Sequence, residues 1–135
     1  MKTSIFVNLP VKNLDRSVDF FKKLGYMFNP QFTDKNAACM IIDDRIYAML
    51  VDETFFKRFT GKNIVDAHKG TESATCLAVD SKEKVNIWAT MALAMGGTEN
   101  AVPEMQQGDF MFGRSINDLD GHIWEIMWMD PETIK

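Results

Sequence analysis

The run HIWEIMWM, His122 to Met129, sets a carboxylate among large apolar side chains. Glu125 stands between Trp124 and Ile126. A carboxylate in such company needs a hydrogen-bond donor, a cation, a metal ion or a ligand group, because leaving it desolvated and unpaired is costly. Three roles are open to it: metal ligand, general base next to a carbonyl, or anchor for a ligand's donor. Few other groups are available to share that work. The chain holds two histidines, His68 and His122, and two cysteines, Cys39 and Cys76, without CxxC spacing. A 2-His-1-carboxylate iron site would consume both histidines and Glu125. His122 and Glu125 lie three apart on a strand and so point to opposite faces, while His68 falls in a polar loop. Cys39 and Cys76 both fall in strand-like runs, where a buried, reduced thiol is expected. Arg114, in FGRSIND, is of the type that clamps a ligand carboxylate or phosphate. The alternative is an arginine paired with an acid such as Glu125, or one on the rim. Asn8 either hydrogen-bonds a ligand or satisfies its strand neighbours.

These residues must be positioned by elements that the apolar periodicity outlines. A first strand covers Ser4–Val11. NLDRSVDFFKKLGY then has Asn13 as an N-cap, an apolar stripe of Leu14, Val18, Phe21 and Leu24, and Gly25 as a stop. Strands follow over Tyr26–Thr33, Ala38–Asp43 and Arg45–Val51, and ETFFKRFTG reads as a short amphipathic helix. After a polar stretch the order starts again: a strand at Ser73–Asp80, a helix from the Ser81 cap through Met95, and strands at Thr98–Met105, Asp109–Asn117 and His122–Met129. NDLDG is the turn before the last strand, with Asp118 and Asp120 as turn residues. Each half therefore reads β-α-β-β-β, with module one at about 1–60, a linker at about 61–72 and module two at about 73–130. One such unit leaves a sheet face uncovered and needs its twin, so the whole is expected to be a single domain of α+β class.

Composition narrows the function classes. The 135 residues are 46% hydrophobic and 25% charged, with a net charge of −4. No basic cluster points to nucleic acid, and no polybasic segment points to an anionic membrane. No apolar run approaches the ~18 residues of a membrane span, and MKTSIFVNLPVKNLD has too short an apolar run for a signal peptide. A cytoplasmic location is expected. Ten methionines are many for this length and suit an adaptable apolar surface.

The βαβββ–βαβββ order, VKNLDRSVDFFKKLG after the first strand and DLDGHIWEI in the last resemble the vicinal oxygen chelate superfamily. That group includes lactoylglutathione lyases, extradiol dioxygenases and bleomycin-resistance proteins. GRSxxDLDGHIWEIMxMDP is closest to the subgroup named predicted lactoylglutathione lyases. The resemblance implies two tandem modules forming a half-open, cup-shaped eight-stranded sheet with helices on the convex side, and it implies a homodimer. Metal ligands in this superfamily come from the first and last strands of each module. Carried over, those positions are Phe6, Met49, a residue near Ala74, and Glu125. Phe, Met and Ala are not ligands for a hard or borderline divalent ion, so no complete metal site and no cofactor are expected.

If Glu125 faces the cavity, alternation brings Ile123 and Met127 with it and sends Trp124, Ile126 and Trp128 to the helices. By the same rule Phe6, Asn8, Tyr47, Met49, Cys76 and Ala78 face inward. The candidate ligand-binding residues are then Phe6, Asn8, Tyr47, Met49, Arg114 and Met127, with Glu125 as the candidate catalytic group. Such walls suit an apolar or aromatic small molecule. Three readings follow: a metal-independent binding protein of the bleomycin-resistance type, a metal-dependent lyase or isomerase of the lactoylglutathione lyase type, and a non-catalytic dimeric interaction protein. The aromatic trio Phe55, Phe56 and Phe59 covers a cavity mouth, packs on a partner chain, or tucks over its own core.

Overall fold

The computed structural model describes residues 2–100 and 109–133. The chain divides into two compact units, Met1–Val65 and Asp66–Lys135. The division falls within the polar stretch between the two repeats.

Unit one opens with strand β1 (Ile5–Val11) and helix α1 (Leu14–Lys23). The Asn13 side chain accepts from Arg16 N–H at 3.1 Å, which satisfies one of the amides that a helix start leaves unpaired. Gly25, at φ 106°, reverses the chain after the helix. The buried residues of α1 are Ser17, Phe20 and Phe21, so the packed stripe is rotated from the expected one and takes in Phe20. Strands β2 (Met27–Asn29), β3 (Ala37–Asp43) and β4 (Ile46–Asp52) follow, then helix α2 (Glu53–Thr60). β2 is shorter than the expected Tyr26–Thr33. The Asn29 side chain caps a 3-10 turn at Pro30–Phe32, and proline there removes a ladder donor. The sheet order is β1-β4-β3-β2, with β1 parallel to β4 and the other pairs antiparallel. α1 packs on β3 and β4, over a core that includes Leu9, Val11, Phe21, Met40 and Leu50.

Unit two repeats the plan with β5 (Ala74–Ala78), helix α3 (Lys82–Ala94), β6 (Thr98–Glu99), β7 (Met111–Asn117) and β8 (Ile123–Met129). Part of the expected strand Thr98–Met105 lies outside the described residues. The sheet order is β5-β8-β7-β6, again with one parallel pair, β5 and β8. The eight strands thus form two four-stranded sheets in tandem βαβββ modules, an α+β fold. α3 packs on β7 and β8. Its Trp88 lies 6.3 Å from Trp124, centroid to centroid, and Trp124 is fully buried. Removing a buried tryptophan of this kind costs about 3–5 kcal/mol. Among the described residues no helix is long and apolar enough to cross a membrane.

Candidate functional site

Glu125 owes its place to alternation and register. In β8, Trp124 and Ile126 are buried, while Ile123, Glu125 and Met127 are half-buried on the face away from α3. Across the ladder Glu125 stands opposite Cys76 of β5 and Ser115 of β7. Ser115 is buried, and its Oγ accepts from Asn100 Nδ2 at 3.3 Å. Among the described residues the Glu125 side chain has no hydrogen bond and no ion pair. The carboxylate is an uncommitted acceptor on a strand face that also carries Ile123 and Met127.

Cys76 corrects one expectation. It is exposed, whereas Cys39 is buried. Both lie in strands, but Cys76 shares the Glu125 face, which no helix among the described residues of unit two covers. Cys39 sits where the 3-10 turn folds against β3, and its N–H donates to Thr33 Oγ1 at 3.1 Å. Burial pushes the Cys39 thiol above its ordinary value. The Cys76 thiol is raised as well, first by partial desolvation and then by the negative charge of Glu125.

Arg114 lies away from Glu125. Its β7 position pairs with Ile126, so it lies on the α3 side, opposite to Glu125. Its Nε donates to Glu99 Oε2 at 2.9 Å, and Nη1 donates to Asn86 Oδ1 at 3.2 Å. Of the two expectations for Arg114, the structure shows the arginine paired with an acid, Glu99 rather than Glu125, and it ties β6 and α3 to β7.

In unit one, Phe6 and Tyr47 are register neighbours of β1 and β4. Their rings stack at 4.6 Å with planes 10° apart. The Tyr47 hydroxyl donates to Asp44 O at 3.1 Å, which holds the ring in place. Phe6 keeps 46% of its surface exposed, so the pair is an accessible aromatic ledge. Asn8 donates to the Phe6 carbonyl at 3.3 Å and lies opposite Met49. Phe6, Asn8, Tyr47 and Met49 therefore share one face of this sheet, as alternation implies. Phe55 and Phe59 of α2 are exposed and form a cluster with Phe56.

The DLDG turn is a small hydrogen-bonded device. The Asp118 carboxylate is buried and accepts from Asp120 N–H, His122 N–H and Trp124 Nε1 at 2.9, 3.0 and 2.9 Å. The turn thereby fixes the indole under α3 and, with it, the phase of β8 that exposes Glu125. Burial raises the Asp118 acid above its usual range, against the opposing pull of His122 and these hydrogen bonds.

Among the described residues no three His, Cys, Asp or Glu side chains converge as a metal-ligand group. Cys76 and Glu125 are two donors on neighbouring strands, and the strand positions beside them carry Ala74, Ala78 and Met127. The residues described in either unit do not make a complete divalent site.

The polar stretch between the repeats holds a further feature. The turn Ala67–Thr71 lies against the ends of β7 and β8 and encloses with them a cleft of about 280 Å³, lined largely by polar groups. Its residues were assigned to a linker.

A family model described as bleomycin resistance protein-like N-terminal matches residues 3–42. Among solved structures the chain is similar to a hypothetical protein from S. aureus, with 26% identity, 95% of each chain covered and a TM-score of 0.79. It is also similar to a glyoxalase/bleomycin resistance protein/dioxygenase family enzyme from Burkholderia phytofirmans, with 13% identity, 92% of this chain and 96% of that one covered, and a TM-score of 0.76. A bleomycin resistance determinant encoded on the transposon Tn5 has 16% identity over 95% of this chain and 98% of that one, with a TM-score of 0.62. No curated protein matches the chain.

Proposed function

We propose that the chain, which shares the fold of glyoxalase/bleomycin resistance/dioxygenase family proteins and matches a bleomycin-resistance-like model over residues 3–42, is a binding protein for a small apolar or aromatic molecule. The observation that carries this reading is Glu125. Its carboxylate has no protein partner among the described residues and stands on a strand face beside Ile123 and Met127. A ligand that covers this face and donates one hydrogen bond or a positive charge satisfies the carboxylate and removes apolar surface from water. Within unit one the Phe6–Tyr47 pair is a stacking surface in its own right, which suits an aromatic ligand. The protein acts in this reading as a cytoplasmic homodimer, a state that light scattering in solution would test.

Calorimetric screening of a varied library of aromatic amines and phenols tests the reading. Binding that Glu125→Gln weakens by about tenfold or more, with unchanged thermal stability, is the expected result, since a charge-assisted bond is lost. A flat screen with folded protein overturns it.

Cys76 beside Glu125 favours a second reading, a metal-dependent lyase or isomerase of the lactoylglutathione lyase type in which these two groups are part of a larger ligand set. Its test is a thermal-shift titration of EDTA-stripped protein with nickel, zinc, cobalt, manganese and iron(II). Metal at ~100 times its Kd adds about 2.7 kcal/mol, and that shift would vanish in Glu125→Ala. No shift with any of these metals dismisses the lyase.

A further inference from the structure

The cleft beside the DLDG turn has a wall and a floor of different chemistry. Its outer wall is the turn that includes His68 and Lys69, and its floor holds Thr98, Asn100, Asn117 and Ile123. The wall is seated on Gly121. That glycine has φ 87°, and a Cβ added there would meet His68 N at 2.6 Å and His68 Nδ1 at 2.9 Å. The backbones therefore approach more closely than a side chain at this position permits.

The charge of the lining has one sign. Lys69 and His68 are its titratable groups, and none of its residues is acidic. The nearby Asp66 is occupied by its own turn, with Oδ1 accepting from His68 N–H at 3.0 Å and its carbonyl accepting from Lys69 and Gly70 N–H. Among the described residues the Lys69 ammonium has no ion pair. The floor offers oriented amides. Asn117 Nδ2 donates to Thr98 Oγ1 at 3.1 Å and Asn100 Nδ2 to Ser115 Oγ at 3.3 Å. Each of those bonds uses the amide nitrogen, so each Oδ1 remains an acceptor without a protein donor among the described residues.

We propose that this cleft binds a small hydroxylated anion. Its carboxylate or phosphate pairs with Lys69 and His68 at the mouth, and its hydroxyl groups donate to the Asn100 and Asn117 side-chain oxygens on the floor. A volume of about 280 Å³ fits a molecule of a few carbons rather than a drug-sized one. The floor shares Ile123 with the Glu125 face, but Glu125 itself is not among the lining residues.

The test is a titration of the full chain followed by backbone amide NMR, with D-glycerate, glycerol 3-phosphate, inorganic phosphate and glycerol as probes. Saturable shifts confined to residues 66–71, 98–100 and 117–123 with glycerate or glycerol 3-phosphate are expected. Which of the two binds more tightly assigns the anionic group. Lys69→Gln, on an exposed turn, weakens binding by about tenfold or more, as loss of a charge-assisted contact does. Asn117→Ala weakens the two hydroxylated anions and leaves inorganic phosphate unaffected. Equal binding of inorganic phosphate and the hydroxylated anions overturns the role of the floor. Shifts that survive Lys69→Gln, shifts outside these segments, or no saturation at millimolar concentrations overturn the site.

Discussion

Cys76 and Glu125 face each other across the parallel β5–β8 pair, and partial desolvation, with the carboxylate's charge added to it, holds the thiol above its ordinary value of 9.0. The thiolate is the reactive form, so this exposed cysteine is slower toward electrophiles than its accessibility suggests. Glu125→Gln removes the charge and lowers the Cys76 value. Alkylation by iodoacetamide at mildly alkaline pH, followed by mass spectrometry, should then accelerate severalfold. Cys39, buried, stays unmodified in the native protein and serves as the internal reference. An unchanged rate would mean that the two side chains are not electrostatically coupled.

Asp118 gives a pH signature to folding. Its folded value lies above the ordinary 3.8 because the group is buried. The fold therefore favours the protonated acid. That contribution is complete below the unfolded value and is lost as pH rises through the folded one. Asp118→Asn does not titrate and turns an N–H toward Trp124 Nε1, which costs about 1–3 kcal/mol for the unsatisfied indole donor. In chemical denaturation the stability gap between wild type and Asp118→Asn should be widest at the acid end and narrow with rising pH. A gap constant across that window would show that the acid is not shifted.

Two glycines separate backbone strain from steric contact. Gly25 has φ 106° with nothing within 4 Å of an added Cβ, whereas Gly121 has φ 87° and meets the His68 backbone. Gly25→Ala should cost about 1–2 kcal/mol, the left-handed penalty alone. Gly121→Ala should cost more and should also displace the amide resonances of residues 66–70. Equal losses in thermal or chemical denaturation would mean that the close approach carries no energy.

Much of this was legible in the chain itself. The helix caps at Asn13 and Ser81 and the alternation in HIWEIMWM fix local structure within a few residues, so the elements and the outward phase of Glu125 follow from spacing. Arg114 and Cys76 were less legible. Which face Arg114 takes relative to Glu125 depends on β7–β8 register, and that is set by the Asp118–His122 closure of the turn. Whether Cys76 is covered depends on which face α3 packs against. The cleft was invisible for a different reason. Residues 67–71 have the composition of a linker, and their contact with Gly121 spans fifty-odd positions that no local pattern encodes. The glycine in DLDG was the available signal, and a turn explained it without any partner.

The parallel pairs have a consequence for how the protein is made. In each unit the first strand lies beside the last: Ile5 with Ile46, and Ala74 with Ile123. Until the ribosome delivers β4, the apolar edge of β1 has no ladder partner, and the same holds for β5 until β8 emerges. Non-local pairing of this kind folds slowly and leaves a strand edge available to other chains meanwhile. A message truncated ahead of DLDGHIWE would release a chain with β5 unpaired and no Trp124 to seat α3. Premature termination there should yield an insoluble product cleared by proteolysis rather than a smaller working protein.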